Sequence, residues 1–282
     1  MTKLRIIDIS KHQNLTVEQI NEWHASKQID GVILRATWFT NVDEKFKYFA
    51  DGMVKYGIPF GVYCYSYALD LLQARDEREA LFDAIKGYKL DYPVYFDMED
   101  ADHYKERKGF PNDLTLVQMC ADFCDYFEKK GYYASIYASK SWFDTHLKHD
   151  SLDKYDKWIA QWNSVCTYAK PYGTWQFTSK FRLDGYNGNL DCSYAYYDYP
   201  KIMRDKGLNG YTKQEDDIVV IPKEDFEMLY NVERKKNQQL NEEYSQLEDD
   251  ILALTLTNDN LVSVNEDIIE DMIAIQEIVK KY

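Results

Sequence analysis

Long apolar segments and N-terminal targeting signals are missing from this sequence. Nowhere do about 18 uncharged apolar residues run together, so no membrane-spanning helix is expected. The N-terminus passes from Lys3 and Arg5 directly into Ile6, Ile7 and Asp8, without the apolar region and the small-residue cleavage site of a signal peptide. We therefore expect a protein that is made without a signal peptide and is not inserted in a membrane.

Positive charge, metal-ligand patterns and chain-breaking residues are also scarce. The 34 Lys and Arg residues face 48 Asp and Glu residues, and the net charge of −14 excludes a surface built to hold nucleic acid. The five cysteines and five histidines show no metal-ligand spacing, so buried reduced thiols and no metal or other cofactor are expected. Glycine and proline number only 12 and 6, whereas aromatics reach 16%, which is typical of a folded globular protein.

Short apolar runs alternate with helical patterns between Leu4 and about residue 200. Thr16 with Gln19 forms a capping-box pattern, and Gly57, Gly87 and Gly131 follow helical runs where a left-handed terminating residue is favoured. This alternation predicts an α/β fold with a parallel sheet, and eight strands over this length favour an irregular TIM-like (β/α) barrel. The predicted strands are Leu4–Ile9, Gly31–Ala36, Pro59–Tyr67, Pro93–Asp97, Tyr133–Ala138, Trp158–Trp162, Gly173–Phe177 and Gly188–Cys192.

The end of the chain follows a different, seven-residue repeat. One heptad position is filled by Leu240, Leu247, Leu254, Leu261, Ile268, Ile275 and Tyr282, and a second seam position follows four residues after each of the first six. Six heptads predict an α-helical coiled coil, although a long amphipathic helix packed on its own barrel is the alternative. The predicted domains are a barrel over residues 1–208, a linker over 209–225 and a coiled-coil oligomerisation helix over 226–282.

Carboxylates stand at the ends of several predicted strands. Asp97 and Glu99 are two residues apart, so their side chains should project together at the carboxyl-end mouth of the barrel. Asp8 ends the first strand and Asp191 lies in the last, so four acids could converge there. Two carboxyls in one pocket cannot both ionise cheaply, which gives a protonated acid beside a carboxylate at neutral pH. An Asp-x-Glu pair alone is more often a solvated strand end than a catalytic pair.

Aromatic residues accompany these acids along the strands. Their amphipathic faces suit sugar rings, although a Tyr or Trp on a strand is often a core residue. Carboxylates together with aromatic platforms suggest glycoside hydrolysis. The residues concerned are Tyr63, Tyr65, Tyr67, Tyr137, Trp158, Trp162 and Trp175.

Eight ordered motifs make residues 1 to about 210 resemble glycoside hydrolase family 25, the lysozymes of bacteria and phages that cut peptidoglycan. They are Asp8-Ile-Ser-x-x-Gln13, Gly31-Val-Ile-Leu-Arg-Ala36, Ile58-Pro-Phe-Gly-Val-Tyr63, Tyr95-Phe-Asp-Met-Glu99, Ile136-Tyr-Ala-Ser139, Trp158-Ile-Ala160, Trp175-Gln-Phe-Thr-Ser179 and Gly188-Asn-Leu-Asp191.

The resemblance implies specific roles. The four acidic positions of the family fall on Asp8, Asp97, Glu99 and Asp191, with Glu99 as general acid/base and Asp97 as its partner. Many members have an acidic residue soon after Arg-Ala, where this chain has Thr37-Trp38-Phe39. The predicted substrate-binding residues are Arg35, Tyr63, Tyr65, Tyr137, Trp162 and Trp175.

These roles predict an N-acetylmuramidase that cleaves the β-1,4 bond between N-acetylmuramic acid and N-acetylglucosamine. A covalent or neighbouring-group route is more natural than inversion, and we favour the substrate's N-acetyl carbonyl as internal nucleophile. The expected protein is a phage endolysin or virion-associated lysin, made in the host bacterial cytoplasm and acting on the cell wall. Its expected partners are peptidoglycan and a second copy of the chain, or another viral protein, at the coiled coil.

Two other interpretations stay open at this point. The coiled coil could be the functional part of a structural or assembly protein whose barrel binds wall glycan with weak activity. A chitinase-like hydrolase is a third interpretation. That family has a longer run of Asp residues before its catalytic Glu, and this sequence lacks that run.

Overall fold

The computed structural model describes residues 3–213 and, beyond them, individual positions between 228 and 254. A 3₁₀ turn occupies Asp150–Leu152. The strands are β1 (Leu4–Ile9), β2 (Gly31–Trp38), β3 (Asn41–Val42), β4 (Phe60–Tyr65), β5 (Val94–Asp97), β6 (Ala134–Ser139), β7 (Asp156–Ala160), β8 (Thr174–Phe181) and β9 (Leu190–Ala195). The helices are α1 (Val17–Ala25), α2 (Phe46–Tyr56), α3 (Leu71–Ile85), α4 (Tyr104–Lys108), α5 (Asp113–Lys129), α6 (Lys140–Asp144) and α7 (Tyr199–Lys206).

Eight of these strands close into a barrel, which confirms the predicted architecture. Their order is β1-β9-β8-β7-β6-β5-β4-β2, and the pairing of β2 with β1 completes the ring. The two-residue β3 only extends β2 as a hairpin.

The prediction of a wholly parallel sheet is wrong for β9. This strand runs antiparallel to both of its neighbours, β1 and β8. Only residues 182–189 separate β8 from β9. A parallel connection needs a crossover of a dozen or more residues, whereas this length suits a hairpin-like return.

The helix boundaries follow the local signals in the sequence. Thr16 and Gln19 form the reciprocal capping box at the start of α1. Gly57, Gly87 and Gly131 have φ angles of 64°, 87° and 81°, which favour glycine because a Cβ is strained there. After β6 the helices become short, with five residues in α6 and no helix between β7 and β9 in this described part of the chain.

The main core lies between the strands and the surrounding helices. Phe96 of β5 stacks on Phe123 of α5 with ring centroids 4.4 Å apart. Inside the barrel, Tyr95 and Trp158 belong to a second apolar cluster with Ile6 and Ile33. All five cysteines are free, and Cys166 is the one that is only partly buried.

Residues 209–211 belong to the barrel unit, in contrast to the linker predicted to begin at residue 209. Asn209 is fully buried, accepts a hydrogen bond from Tyr133 N at 2.7 Å and donates one to Tyr92 O at 2.9 Å. The Tyr211 hydroxyl donates to Asp91 Oδ1 at 2.8 Å. These bonds close the end of the barrel at which β5 and β6 begin.

The chain divides into two units, residues 1–215 and 216–282. In the second unit the described positions are helical and include Leu240, Leu247 and Leu254. Most of the predicted coiled coil lies outside the described residues. The seam position Tyr244 and all seam positions within 255–282 are among those that the structure does not describe. Within the described part of the chain, no helix is both long and apolar enough to cross a membrane.

Candidate active site

The four predicted acids meet at one mouth of the barrel. Asp8 and Asp97 stand at the carboxyl ends of β1 and β5, and Glu99 follows two residues later. Asp191 reaches the same mouth because β9 is antiparallel, so that its first residues lie beside the last residues of β1. Asp8 and Asp191 are direct cross-strand partners.

A cavity of about 550 Å³ opens between these side chains. It contains all four acids and most of the predicted substrate-binding residues. Its lining is Asp8, Ile9, Ser10, His12, Gln13, Arg35, Tyr63, Tyr65, Asp97, Glu99, Ala101, Tyr137, Ser139, Trp158, Ala160, Trp162, Gln176 and Asp191.

Burial raises the pKa of every carboxyl in this cleft. The pKa of Glu99 rises to about 7, through burial and the charge of Asp191, although nearby Lys105 opposes the rise. Burial raises the pKa of Asp191 to about 6. The pKa values of Asp8 and Asp97 lie well above the usual range, because of burial first and then the charges of Asp191 and Glu99 respectively. These carboxyls therefore lose their protons at a higher pH than exposed ones, and because neighbouring carboxylates repel each other, one acid stays protonated beside an ionised partner.

Asp97 carries a buried oxygen without a protein partner. Its side chain is only 6% exposed, and Oδ1 accepts no hydrogen bond from the residues that the structure describes. Leaving a buried acceptor unpaired costs roughly 1–3 kcal/mol. Such a group at the wall of a cavity is poised to accept a hydrogen bond from a ligand.

Gln176 connects one acid to two aromatic side chains. Its Nε2 donates to Asp8 Oδ2 at 3.0 Å, while its Oε1 accepts from the Tyr137 hydroxyl at 3.1 Å and from Trp162 Nε1 at 3.0 Å. Sequence reasoning missed this residue. The sequence gives it little signal, because the strand that contains it, β8, also holds Thr, Ser and Lys residues.

The aromatic side chains divide into a wall, a rim and two residues outside the cavity. Tyr63, Tyr65 and Tyr137 form part of the wall, and Trp162 is 65% exposed at the rim. The prediction of Trp175 as a substrate-binding residue is not supported by its position outside this lining.

Trp175 faces away because it neighbours the inward-facing Gln176 on β8, and successive strand residues point to opposite faces. Its indole Nε1 donates to Gln161 O at 2.8 Å, and its ring packs near Phe177 and Tyr194. Tyr67 also stays outside the lining, where its hydroxyl donates to Asp102 Oδ2 at 2.7 Å.

Arg35 reaches the cleft with an acidic partner that the sequence analysis missed. Its Nε donates to Asp43 Oδ2 at 2.8 Å, and Asp43 is almost fully buried. Asp43 lies beyond the β2–β3 hairpin, eight residues from Arg35, and so outside the Thr37-Trp38-Phe39 stretch. This ion pair fixes the guanidinium at the wall of the cavity.

An α/β barrel with acids and aromatic side chains in a cleft at the carboxyl ends of its strands defines a barrel glycoside hydrolase. The sequence model of Glycosyl hydrolases family 25 matches residues 7–186. The chain belongs to this family, as its motifs predicted. No protein in the curated set matches the chain.

Solved structures show the same barrel. The modular autolysin LytC from Streptococcus pneumoniae, solved with a synthetic peptidoglycan ligand, is 29% identical with a TM-score of 0.63. The match covers 69% of this chain and 47% of the autolysin, so the chain spans about half of that protein. A family 25 glycosyl hydrolase from Bacillus anthracis is 18% identical with a TM-score of 0.60, over 73% of this chain and 93% of that one. The catalytic domain of an endolysin from a Listeria monocytogenes bacteriophage is 24% identical with a TM-score of 0.57, over 73% and 98% of the two chains.

Proposed function

We propose that this protein is a peptidoglycan N-acetylmuramidase that cleaves the β-1,4 bond between N-acetylmuramic acid and N-acetylglucosamine. The observation that carries the proposal is the cleft, in which Glu99 is partly accessible and has a pKa of about 7 beside the buried Asp97. Membership of family 25 supports the reaction class. The peptidoglycan ligand of the pneumococcal autolysin supports the substrate class.

Glu99 serves as the general acid in this proposal. Its proton passes to the glycosidic oxygen as the bond to the anomeric carbon of N-acetylmuramic acid breaks, and N-acetylglucosamine leaves with a free hydroxyl. The acetamido carbonyl oxygen of the substrate attacks the same anomeric carbon and forms a cyclic oxazolinium ion. Water, deprotonated by Glu99, then opens the ring and gives a reducing N-acetylmuramic acid end.

Asp97 orients the internal nucleophile. Its unpaired buried Oδ1 can accept the hydrogen bond of the acetamido N–H, and a carboxylate there stabilises the positive charge of the oxazolinium ion. A covalent intermediate on Asp97 is the alternative for the same pair of residues. Tyr63, Tyr65, Tyr137 and Trp162 supply ring faces and hydroxyl or indole groups for the sugars.

The finer assignment within this proposal is a phage endolysin or a virion-associated lysin. The resemblance to lysozymes of phages supports it, and its synthesis in the host cytoplasm would precede its action on the wall. Mass spectrometry of purified virions distinguishes the two forms, because only a virion-associated lysin is retained in the particle.

A second function is self-association through the C-terminal segment. Leu240, Leu247 and Leu254 are one heptad apart, helical, and 49%, 54% and 69% exposed. Three large apolar side chains at this spacing favour a parallel coiled coil over residues 226–282, joined to the barrel by the residues before it. In this arrangement a homodimer, or a pair with another viral protein, would bring two binding domains to the same polymeric wall. Binding to the wall would then gain avidity.

Product analysis tests the proposed bond specificity. Purified Gram-positive walls are digested, the products are reduced with borohydride, and the reduced sugars are identified after acid hydrolysis. Muramitol is the expected product, and the Glu99→Gln protein should release at least roughly 10²-fold less of it in the same time. Glucosaminitol would assign a glucosaminidase instead, and new amino termini without reduced sugar would assign a peptidase.

A further inference from the structure

Lys105 is a fully buried lysine directly behind the catalytic acids. It belongs to α4, a helix of five residues, and its side chain is 1% exposed. Burying an ammonium group is costly unless it is paired and hydrogen-bonded. The Lys105 ammonium therefore has contacts that offset this cost, and those contacts converge on the loop that carries Glu99.

The ammonium joins the ends of two neighbouring strands. Lys105 Nζ donates to Glu99 O at 2.8 Å and to Ser66 O, so it spans the segments that follow β5 and β4. Ser66 N in turn donates to Asp97 O at 3.0 Å. One side chain thus links the main chain of Glu99 to the segment after β4 that is bonded to Asp97.

α4 is anchored to the same loop by its first turn. The carboxylate of Asp100, which follows Glu99, accepts from Lys105 N at 2.7 Å and from Glu106 N at 2.9 Å. The backbone of Lys105 is thereby held in place while its side chain reaches back to Glu99. This arrangement leaves little freedom to the loop between Glu99 and Lys105.

Glu77 of α3 supplies the opposing buried charge. Its Oε2 accepts from Ser66 Oγ and its Oε1 from Tyr67 N, both at 2.7 Å, and the residue is 0% exposed. The titratable groups that interact electrostatically with Lys105 are Glu77 of α3, Asp97 at the end of β5, Glu99 and Asp100 after it, Cys64 of β4 and Cys120 of α5. Most of them are acids, so Lys105 is the central cation of an acidic cluster.

We propose that Lys105 is a positioning residue for the cleavage reaction, which holds the Glu99 main chain and sets the pH range of the acid pair by its charge. The inference rests on the proposed role of Glu99 as general acid. Lys105 lies behind the cleft and does not line it. Its effect on the reaction therefore passes through Glu99 and Asp97.

The Lys105→Met variant separates this role from simple structural support. Without the cation, protonated Glu99 is favoured, so the alkaline limb of the kcat profile should move up by roughly one pH unit. Loss of the bond to Glu99 O should lower kcat at least about 10-fold with little change in KM. Lys105→Arg keeps the charge and should retain the wild-type alkaline limb.

Lys157 provides a matched control at the far end of the barrel. It is also buried, at 2% exposure, and its Nζ donates to Leu152 O and Tyr155 O, both at 3.0 Å. Lys157→Met should lower the thermal midpoint as Lys105→Met does but leave the pH profile in place. If the two variants have the same kcat and the same pH profile, Lys105 is only structural and the proposal fails.

A titration without substrate keeps this test independent of the proposed function. The ¹³C signal of the Glu99 carboxyl, assigned by its absence in Glu99→Gln, should titrate at higher pH in Lys105→Met than in the wild type. Glu77→Gln removes the opposing anion and should move the titration of Glu99 to lower pH. This variant replaces Lys105→Met in the test if Lys105→Met does not fold. An unmoved titration contradicts the proposal even if the protein cleaves walls. A wild type that cleaves no wall overturns the proposed function but leaves the titration result valid.

Discussion

Glu99 combines burial with access to the cleft, and this combination makes it the best placed acid of the four. A buried carboxyl at about pKa 7 is partly protonated at neutral pH and can give its proton to a bound substrate. Asp97 is deeper and has an unpaired oxygen, which suits a group that orients rather than one that transfers a proton.

The variants Glu99→Gln and Asp97→Asn should therefore both lose turnover, but for different chemical reasons. Loss of the general acid should lower kcat by roughly 10²–10⁴-fold while binding to insoluble walls is retained. Asp97→Asn should also lower kcat, because the charge that stabilises the oxazolinium ion is gone. Turnover on purified walls and a pull-down with the same walls measure both properties. Near-normal turnover by Glu99→Gln would reassign the acid to Asp8 or Asp191.

Asp191 should tune the pH range of Glu99. The negative charge of Asp191 raises the pKa of Glu99, so its removal in Asp191→Asn should lower that pKa. Since Glu99 must be protonated to act, the alkaline limb of the kcat profile should move to lower pH. Asp205→Asn changes an exposed carboxylate of α7 and serves as the control with an unchanged profile. An alkaline limb that stays in place in Asp191→Asn would contradict the electrostatic coupling of the two acids.

At the residue scale, the sequence predicted the acids better than the side chains that hold them. Asp8, Asp97 and Glu99 stand at strand ends, where chemistry and alternation coincide. Gln176 and Lys105 carry no such signal, because a lone Gln in a strand and a Lys in a short charged helix are common surface residues. Their roles arise from contacts between segments far apart in the chain.

At the scale of elements, all eight barrel strands could be predicted to within a few residues, because buried apolar runs are bounded by glycine, proline and polar turns. Strand direction was harder to predict. An apolar run has the same pattern in either direction, so only the short connection of residues 182–189 could have revealed the reversal of β9. The end of the barrel unit was also misplaced, since polar Asn209 and Gly210 resemble a linker although Asn209 is buried.

Asn209 should contribute to stability through its side chain. In Asn209→Gly the positive φ of 55° is still allowed, but Tyr133 N and Tyr92 O lose their partner. The free energy of unfolding should fall by roughly 1–3 kcal/mol, as is usual for unpaired buried polar groups. Urea denaturation measures the change, with the exposed Asn189→Gly as the control. Equal stability of the two variants would show that residues 209–211 lie on the barrel without supporting it.

At the scale of the whole molecule, the heptad leucines should determine the association state. Light scattering of the full chain should give the mass of a dimer, and a chain that ends after Lys213 should give that of a monomer. Leu247→Glu places a charge in the seam and should dissociate the dimer, whereas Ser245→Glu adds the same charge outside it. A monomeric full-length protein well above micromolar concentration would indicate that the helix has a different partner.

Closure of the ring also constrains when the barrel can form. β1 pairs with β2 early in the sequence, but its other edge is covered only by β9, about 185 residues later. During synthesis the β1 edge therefore stays open until residue 195 has left the ribosome, and the loop that must then close is among the longest in the chain. Because Asp8 and Asp191 face each other across this pairing, the cleft cannot be complete before β9 has been synthesised. A nascent chain thus remains without its active site until the barrel is complete.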